Sequence, residues 1–182
     1  MKNFPVNVDG KEYWISRALA VVVMAVKKVG NDFFVLVEKR GKGAADNVGS
    51  LCMPCGYLDF DETLKEACAR ELKEETGLVV DPARFKMLSI NSDPKENRQN
   101  VSVRYYCLVQ EHENFNKELA VGGEKDEVDG VYWINVAKLV GGTVVVNNER
   151  IDAETWAFNH ENRIKSDVVA VVENEFLTGD KK

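Results

Sequence analysis

Asp59-Phe60-Asp61-Glu62-Thr63-Leu64-Lys65-Glu66-Ala67-Cys68-Ala69-Arg70-Glu71-Leu72-Lys73-Glu74-Glu75-Thr76-Gly77 is the stretch whose reading decides the fold. From Asp59 to Thr76 it holds no Gly or Pro and good helix formers dominate, so an α-helix is predicted there. Asp59 followed by Glu62 resembles a capping box with Asp in place of Ser or Thr. Gly77 should end the helix, because glycine accepts the left-handed conformation of a helix stop. At about 100° per residue, Leu64, Ala67, Cys68 and Leu72 form one apolar stripe. Glu71 and Glu75 fall inside that stripe, stacked on one face, with Glu74 at its edge. A run such as Glu-Leu-Lys-Glu-Glu is ordinarily a solvated face, but here that reading puts the carboxylates on the wrong side. Carboxylates buried side by side repel one another and are costly to desolvate, so they persist where a cation neutralises them or a proton removes part of the charge. Three of them within five residues suit a hard divalent cation with oxygen ligands, Mg²⁺ or Mn²⁺.

The charge distribution points to the same place. The 182 residues carry 24 Lys plus Arg against 30 Asp plus Glu, a net charge of -6. Between Asp59 and Glu75 stand seven acids (59, 61, 62, 66, 71, 74, 75) and three bases (65, 70, 73), a local charge of -4. An acidic chain has no electrostatic footprint for nucleic acid, so no nucleic-acid partner is expected. A small anion bridged to carboxylates by metal ions remains compatible. The longest apolar run, Ala18 to Val26, is nine residues, against the roughly 20 of a membrane helix. No cationic, apolar leader opens the chain, so neither membrane nor processing is expected. Four cysteines, at 52, 55, 68 and 107, are too few and scattered for a disulfide framework, which fits a reducing cytoplasm.

Outward from the helix, the flanks read as strands. Ala18 to Val29 and Phe33 to Lys39 flank Gly30-Asn31-Asp32, good hairpin chemistry. Arg40 to Ser50 is a Gly-containing loop, and Leu51 to Pro54 a short extended segment. Phe85 to Ile90 and Val101 to Val109 follow as strands, the second placing Val101, Val103, Tyr105, Cys107 and Val109 on one face. Asn91 to Asn100 is a polar loop with Pro94, and Glu111 to Asp129 a long charged connection. Val131 to Ile134 returns to strand, Asn135 can cap a short helix to Val140, and Thr143 to Val146 can add a strand. Ser166 to Leu177 reads best as a helix. Strands on both sides of a central helix argue for one mixed α/β domain: an N-terminal arm (1–16), a core (17–146) and a C-terminal helical segment (147–182).

Gly56, Glu62 and then Arg70-Glu71-Leu72-Lys73-Glu74-Glu75-Thr76-Gly77-Leu78 stand at the spacing of the signature of the Nudix hydrolases. The chain resembles that family, with no position of the box missing. Arg17-Ala18, Glu38-Lys39-Arg40, Pro54 and the segment Glu127 to Trp133 resemble its layout as well. The resemblance implies an α/β/α sandwich with a central mixed sheet and a metal-dependent hydrolase of nucleoside diphosphates linked to another group. It implies that Glu71, Glu74 and Glu75 ligate or orient divalent ions, Mg²⁺ with Mn²⁺ as substitute, joined by the backbone carbonyl of Cys55. Arg70 would brace the cluster from its spacing of four to Glu66 and Glu74, and Glu62 would fix the start of the helix. A further acid, as metal ligand or general base, matches Glu127 best, with Glu124 and Asp126 as rivals. Family members often form homodimers, and Val6, Val8, Tyr13, Trp14 and Ile15 could supply an apolar arm for one.

Substrate choice is read from fewer residues. Pro94, 16 residues after the box, resembles the branch acting on ADP-ribose, although a turn proline is an equal reading. Arg40, Arg98 and Arg104 are candidates for holding a diphosphate in bidentate fashion. Tyr105, Tyr106 or Phe60 could stack on a base, though strand aromatics are more often core. Nucleoside triphosphates and dinucleoside polyphosphates are the alternative substrates. A non-catalytic nucleotide-sugar sensor is the rival of another class; its relatives tend to lose parts of the box, which is complete here. Cys52-Met53-Pro54-Cys55 is a CxxC, but no second pair at ligand spacing accompanies it, which disfavours zinc or thiol chemistry. It also departs from the Pro-Gly-Gly common in the family.

Overall fold

Two short antiparallel strands, β1 (Phe4–Val8) and β2 (Lys11–Ile15), form a hairpin that is a sheet of its own. The valine-rich run becomes β3 (Ala18–Val29), and β4 (Asp32–Arg40) returns antiparallel to it. Gly30, at φ 59°, makes the tight turn between them. β5 (Leu51–Cys52) pairs with β4 and β6 (Cys55–Tyr57) with β3. Next come α1 (Leu64–Thr76), a 3₁₀ turn at Pro82–Arg84, β7 (Lys86–Asn91), β8 (Asn100–Val109) and β9 (Val128–Asn135). β10 (Val144–Val146), β11 (Glu149–Ile151) and α2 (His160–Val172), extended by a π turn at Glu173–Leu177, complete the order. The computed structural model describes residues 3–44, 47–113, 126–136, 144–146, 149–151 and 160–177.

The main sheet runs β11-β10-β9-β4-β3-β8-β7, with β5 and β6 attached to β4 and β3. β3 and β8 are parallel, from Ala18↔Asn100 to Lys27↔Val109, and the other pairs are antiparallel, so the sheet is mixed. Alternation then sorts side chains between two cores. Val21, Val23 and Ala25 of β3 pack with Ala67, Cys68 and Leu72 of α1 on one face. Met24 and Val26 pack with Ile164, Val168 and Val171 of α2 on the other. This is the α/β/α sandwich expected. Each fully buried aliphatic side chain contributes about 1.5–3 kcal/mol, so both helices are held by their apolar stripes.

Several expectations are corrected. The helix begins at Leu64, not Asp59, because the reciprocal capping box is made by Thr63 and Glu66; between Asp59 and Glu62 one half of a box is made, Glu62 accepting from the Asp59 N–H at 2.9 Å. The segment after residue 146, expected to be helical, also includes β11, and its helix starts at His160 rather than Ser166. Asn135 is the last residue of β9, and the helix expected up to Val140 lies outside the described residues beyond Val136. The N-terminal arm is a β-hairpin. β8 does alternate as expected: Val103, Tyr105, Cys107 and Val109 enter the α1-side core.

Candidate active site

The site is built on α1, and α1 is fixed at both ends. Thr63 Oγ1 accepts from the Glu66 N–H at 3.4 Å while Glu66 Oε2 accepts from the Thr63 N–H at 2.8 Å. Gly77, at φ 71°, donates its N–H to the Lys73 carbonyl and stops the helix. Between these ends Arg70 spreads its guanidinium over the carboxylates. Nη2 and Nε bond Glu62 at 2.6 and 3.0 Å, Nη1 bonds Glu71 at 2.6 Å and Glu74 at 3.1 Å, and Nη2 also reaches the Tyr57 carbonyl at 2.9 Å. The bracing expected of Arg70 is therefore present, with one correction: Glu66 is occupied by the cap, and Glu62 takes its place.

The carboxylates differ in burial. Glu71 is buried, Glu75 half-buried, and Glu74 lies at the exposed edge, as the helical wheel requires. Desolvation raises the proton affinity of Glu71 against the opposing pull of Arg70. Desolvation likewise raises Glu75 well above the ordinary carboxylate range, with Glu38 and Glu71 adding repulsion. Glu75 Oε2 accepts the Cys55 N–H at 2.8 Å, which sets the peptide of Cys55 beside the cluster. Gly56 presses on Glu71 so closely that a Cβ there would lie 2.1 Å from Oε1.

A fourth carboxylate closes the group from the sheet. Glu38 of β4 is 1% exposed, accepts the Cys52 Sγ–H at 3.0 Å, and stands 3.7 Å from Arg40 Nη1. Burial, aided by the charges of Glu127 and Glu71, pushes its carboxyl up to about 7. Glu127 thus lies within electrostatic reach of Glu38, at the foot of β9. Its backbone is stitched to the segment after Arg40: Gly41 N–H donates to the Glu127 carbonyl at 2.6 Å and Gly43 N–H to that of Asp126 at 2.8 Å. Gly41 is needed there, since a Cβ would meet the Asp126 carbonyl oxygen at 2.1 Å. Asp126 itself is exposed, and Glu124 lies outside the described residues.

The other named residues separate into groups. Arg40 is at the cluster, beside Glu38 and 3.9 Å from Cys52 Sγ. Pro94 and Arg98 are exposed in the loop between β7 and β8. Arg17 organises that loop, a role its sequence context did not reveal: Nη1 bonds the Ser92 carbonyl at 2.7 Å, and Nη2 those of Asn97 at 2.6 Å and Asn100. Arg104 does not hold the place expected of a diphosphate ligand. It is 7% exposed, pairs with Asp167 of α2 at 2.6 Å and touches Met53, so its charge is spent inside the α2-side core. Tyr105 and Tyr106 are core residues, on the α1 and α2 sides respectively, and Phe60 is exposed. Burial and neighbouring carboxylates raise the thiols of Cys52 and Cys55 above their ordinary range, which disfavours the thiolate.

Among the described residues no three His, Cys, Asp or Glu side chains converge as a ready-made coordination shell; Arg70 holds Glu62, Glu71 and Glu74 apart on its guanidinium instead. The donor set nonetheless fits a hard divalent cation. It is all oxygen, it carries several negative charges, and it includes a buried carboxylate oxygen, Glu38 Oε2, with no hydrogen-bond partner. Glu38 is the member that sequence reading placed only in the family layout. Its signal was a charge on the same strand face as core residue Leu36.

Comparison with known proteins identifies the family. The family model described as NUDIX domain matches residues 16–155. The ADP-ribose pyrophosphatase of Methanocaldococcus jannaschii is 26% identical over 157 residues, 86% of this chain and 78% of that protein. A MutT/nudix family protein from Enterococcus faecalis superposes with a TM-score of 0.67 at 22% identity, over 88% of this chain and 64% of that one. The NUDIX domain of Shewanella oneidensis NrtR, solved with ADP ribose, gives 0.63 at 18%, over 87% and 90%. With the box complete, Glu71 packed against Gly56 and the match spanning most of the chain, the protein belongs to the NUDIX domain family, as a pyrophosphohydrolase.

Proposed function

We propose that the protein hydrolyses the diphosphate bond of a nucleoside diphosphate joined to another group, ADP-ribose or a similar nucleotide sugar, with Mg²⁺ as its metal and Mn²⁺ as a substitute. The observation that carries this reading is the set of buried Glu71 and Glu38 and half-buried Glu75 on one side of the sheet, with Glu71 braced by Arg70 and packed against Gly56. The name of the Methanocaldococcus relative and the placing of Pro94 support ADP-ribose. Glu71, Glu74, Glu75, Glu127 and the carbonyl of Cys55 would hold the metal. Bound there, it would neutralise phosphate oxygens and acidify a water.

The chain's own groups account for the rest. Arg70 keeps Glu71 and Glu74 from drifting into solvent and sets their spacing. Glu127 takes the proton of the attacking water; the phosphorus–oxygen bond to the leaving phosphate breaks, giving a nucleoside monophosphate and the phosphorylated partner. Of the three arginines named for the diphosphate, Arg40 and Arg98 are the ones assigned to hold it. The whole chain is read as one cytoplasmic domain, and the exposed Phe4, Val8, Trp14 and Ile15 of the hairpin support a homodimer.

The test is a panel of nucleoside diphosphate sugars, dinucleoside polyphosphates and nucleoside triphosphates with Mg²⁺ or Mn²⁺. ADP-ribose should yield AMP, and Glu74→Gln and Glu75→Gln should abolish turnover without loss of fold. Near-normal activity in both variants would sink the assignment of the metal ligands. Preference for a triphosphate or dinucleoside polyphosphate would move the substrate class, and saturable ADP-ribose binding without product would make the protein a nucleotide-sugar sensor.

A further inference from the structure

Glu38 is the most deeply buried carboxylate among the described residues, and nothing in the helix motif calls for it. β4 sets it between Cys52 of β5 and Val131 of β9, and on the strand face it shares with Leu36, which packs against the α1-side core. It therefore looks across at Glu71 and Glu75, with Glu127 four residues before Val131 at its flank. One oxygen, Oε1, is used by Cys52 and Arg40; the other, Oε2, has no hydrogen-bond partner. A buried carboxylate oxygen left without a donor is costly, and more so among like charges. Cys52 alone does not account for it. A thiol is a weak donor, and an apolar pair in both positions would pack as well without the desolvation penalty.

Resting on the metal reading above, we propose that Glu38 is a further carboxylate of the cation site, its free Oε2 adding to the oxygen set of Glu71, Glu75 and Glu127. The group then draws on three parts of the chain: α1, the foot of β9 and the middle of the sheet. A cation held there is tied to β4, which pairs with β3, β5 and β9, rather than to the helix alone.

The test is Mn²⁺ titration of the metal-free full-length protein, followed by electron paramagnetic resonance of the free ion, for wild type, Glu38→Gln, Glu38→Asp and Glu75→Gln, each with a thermal melt. Glu38→Gln should bind Mn²⁺ about 10- to 100-fold more weakly, and Glu38→Asp to an intermediate degree. The metal-free melt of Glu38→Gln should be no lower than wild type, because one buried like charge is gone. Mn²⁺ affinity within twofold of wild type in Glu38→Gln and Glu38→Asp overturns the proposal, as does a lowered melt with unchanged affinity, which would make Glu38 a structural partner of Cys52. If Glu38→Gln does not fold, Glu38→Asp decides alone, and wild-type affinity there overturns it. Wild type binding no better than Glu75→Gln would instead sink the metal reading itself, and the role of Glu38 with it.

Discussion

Gly56 has no room for a side chain, since a Cβ would sit 2.1 Å from Glu71 Oε1 and 2.3 Å from its carboxyl carbon. A Gly56→Ala variant must push the Glu71 carboxylate aside or move the β6 backbone. Displacements near 1 Å in a catalytic constellation cost about 10²-fold in rate, so kcat should fall by about that factor. Circular dichroism should show the fold retained, because the strain falls on the end of the Glu71 side chain and not on the two cores. An unchanged kcat would show that the precise place of Glu71 is unimportant. The requirement for glycine was legible as a motif position only; its physical reason, the carboxylate packed against the α-carbon, needs the helix docked on β6.

On the scale of elements, α1 depends on a start that its own sequence half disguised. Asp59-Phe60-Asp61-Glu62 and Thr63-Leu64-Lys65-Glu66 both have the spacing of a capping box, and the chain uses the second, with both reciprocal bonds made. Asp59 then remains free for a 3.7 Å approach to Arg70, and Glu62 for its stronger bonds. Had the helix begun at Asp59, Glu62 would lie two turns below Arg70 instead of folding back to it. Thr63→Ala should cost about 1 kcal/mol of stability, read as a lower melting temperature, whereas Asp59→Ala should cost a few tenths at most. Equal losses would return the helix start to Asp59.

For the whole molecule, the ends of distant elements are tied by ion pairs whose partners lie far apart in the chain. Arg84, in the 3₁₀ turn after α1, grips Glu113 beyond β8 with two bonds of 2.6 and 2.9 Å, and Glu113 also accepts the Gln110 N–H at 2.7 Å. These bonds, Arg84 first, hold the Glu113 carboxyl down at about 2, against an ordinary value of 4.5. A carboxyl depressed in the folded state stabilises fully above its unfolded value and loses that contribution as pH falls from about 4.5 toward 2. Glu113→Gln should therefore melt below wild type at pH 7, by about 1–2 kcal/mol for a partly exposed charged pair. The gap should narrow as pH falls below about 4.5 and close only below about 2; a gap independent of pH would assign it to packing. On this same scale the sequence had limits. Alone it determined the helix, its stop at Gly77, the strand alternation and the sandwich class, because 3.6- and 2-residue periods and the box spacing are local or fixed by pattern. It could not decide that Arg104 is consumed by Asp167, that Arg17 holds the loop bearing Pro94, or that Glu38 joins the carboxylates of α1. Each of those depends on strands and helices far apart in the chain meeting across a mixed sheet, and burial, which sets the charge chemistry of every such group, exists only once they have met.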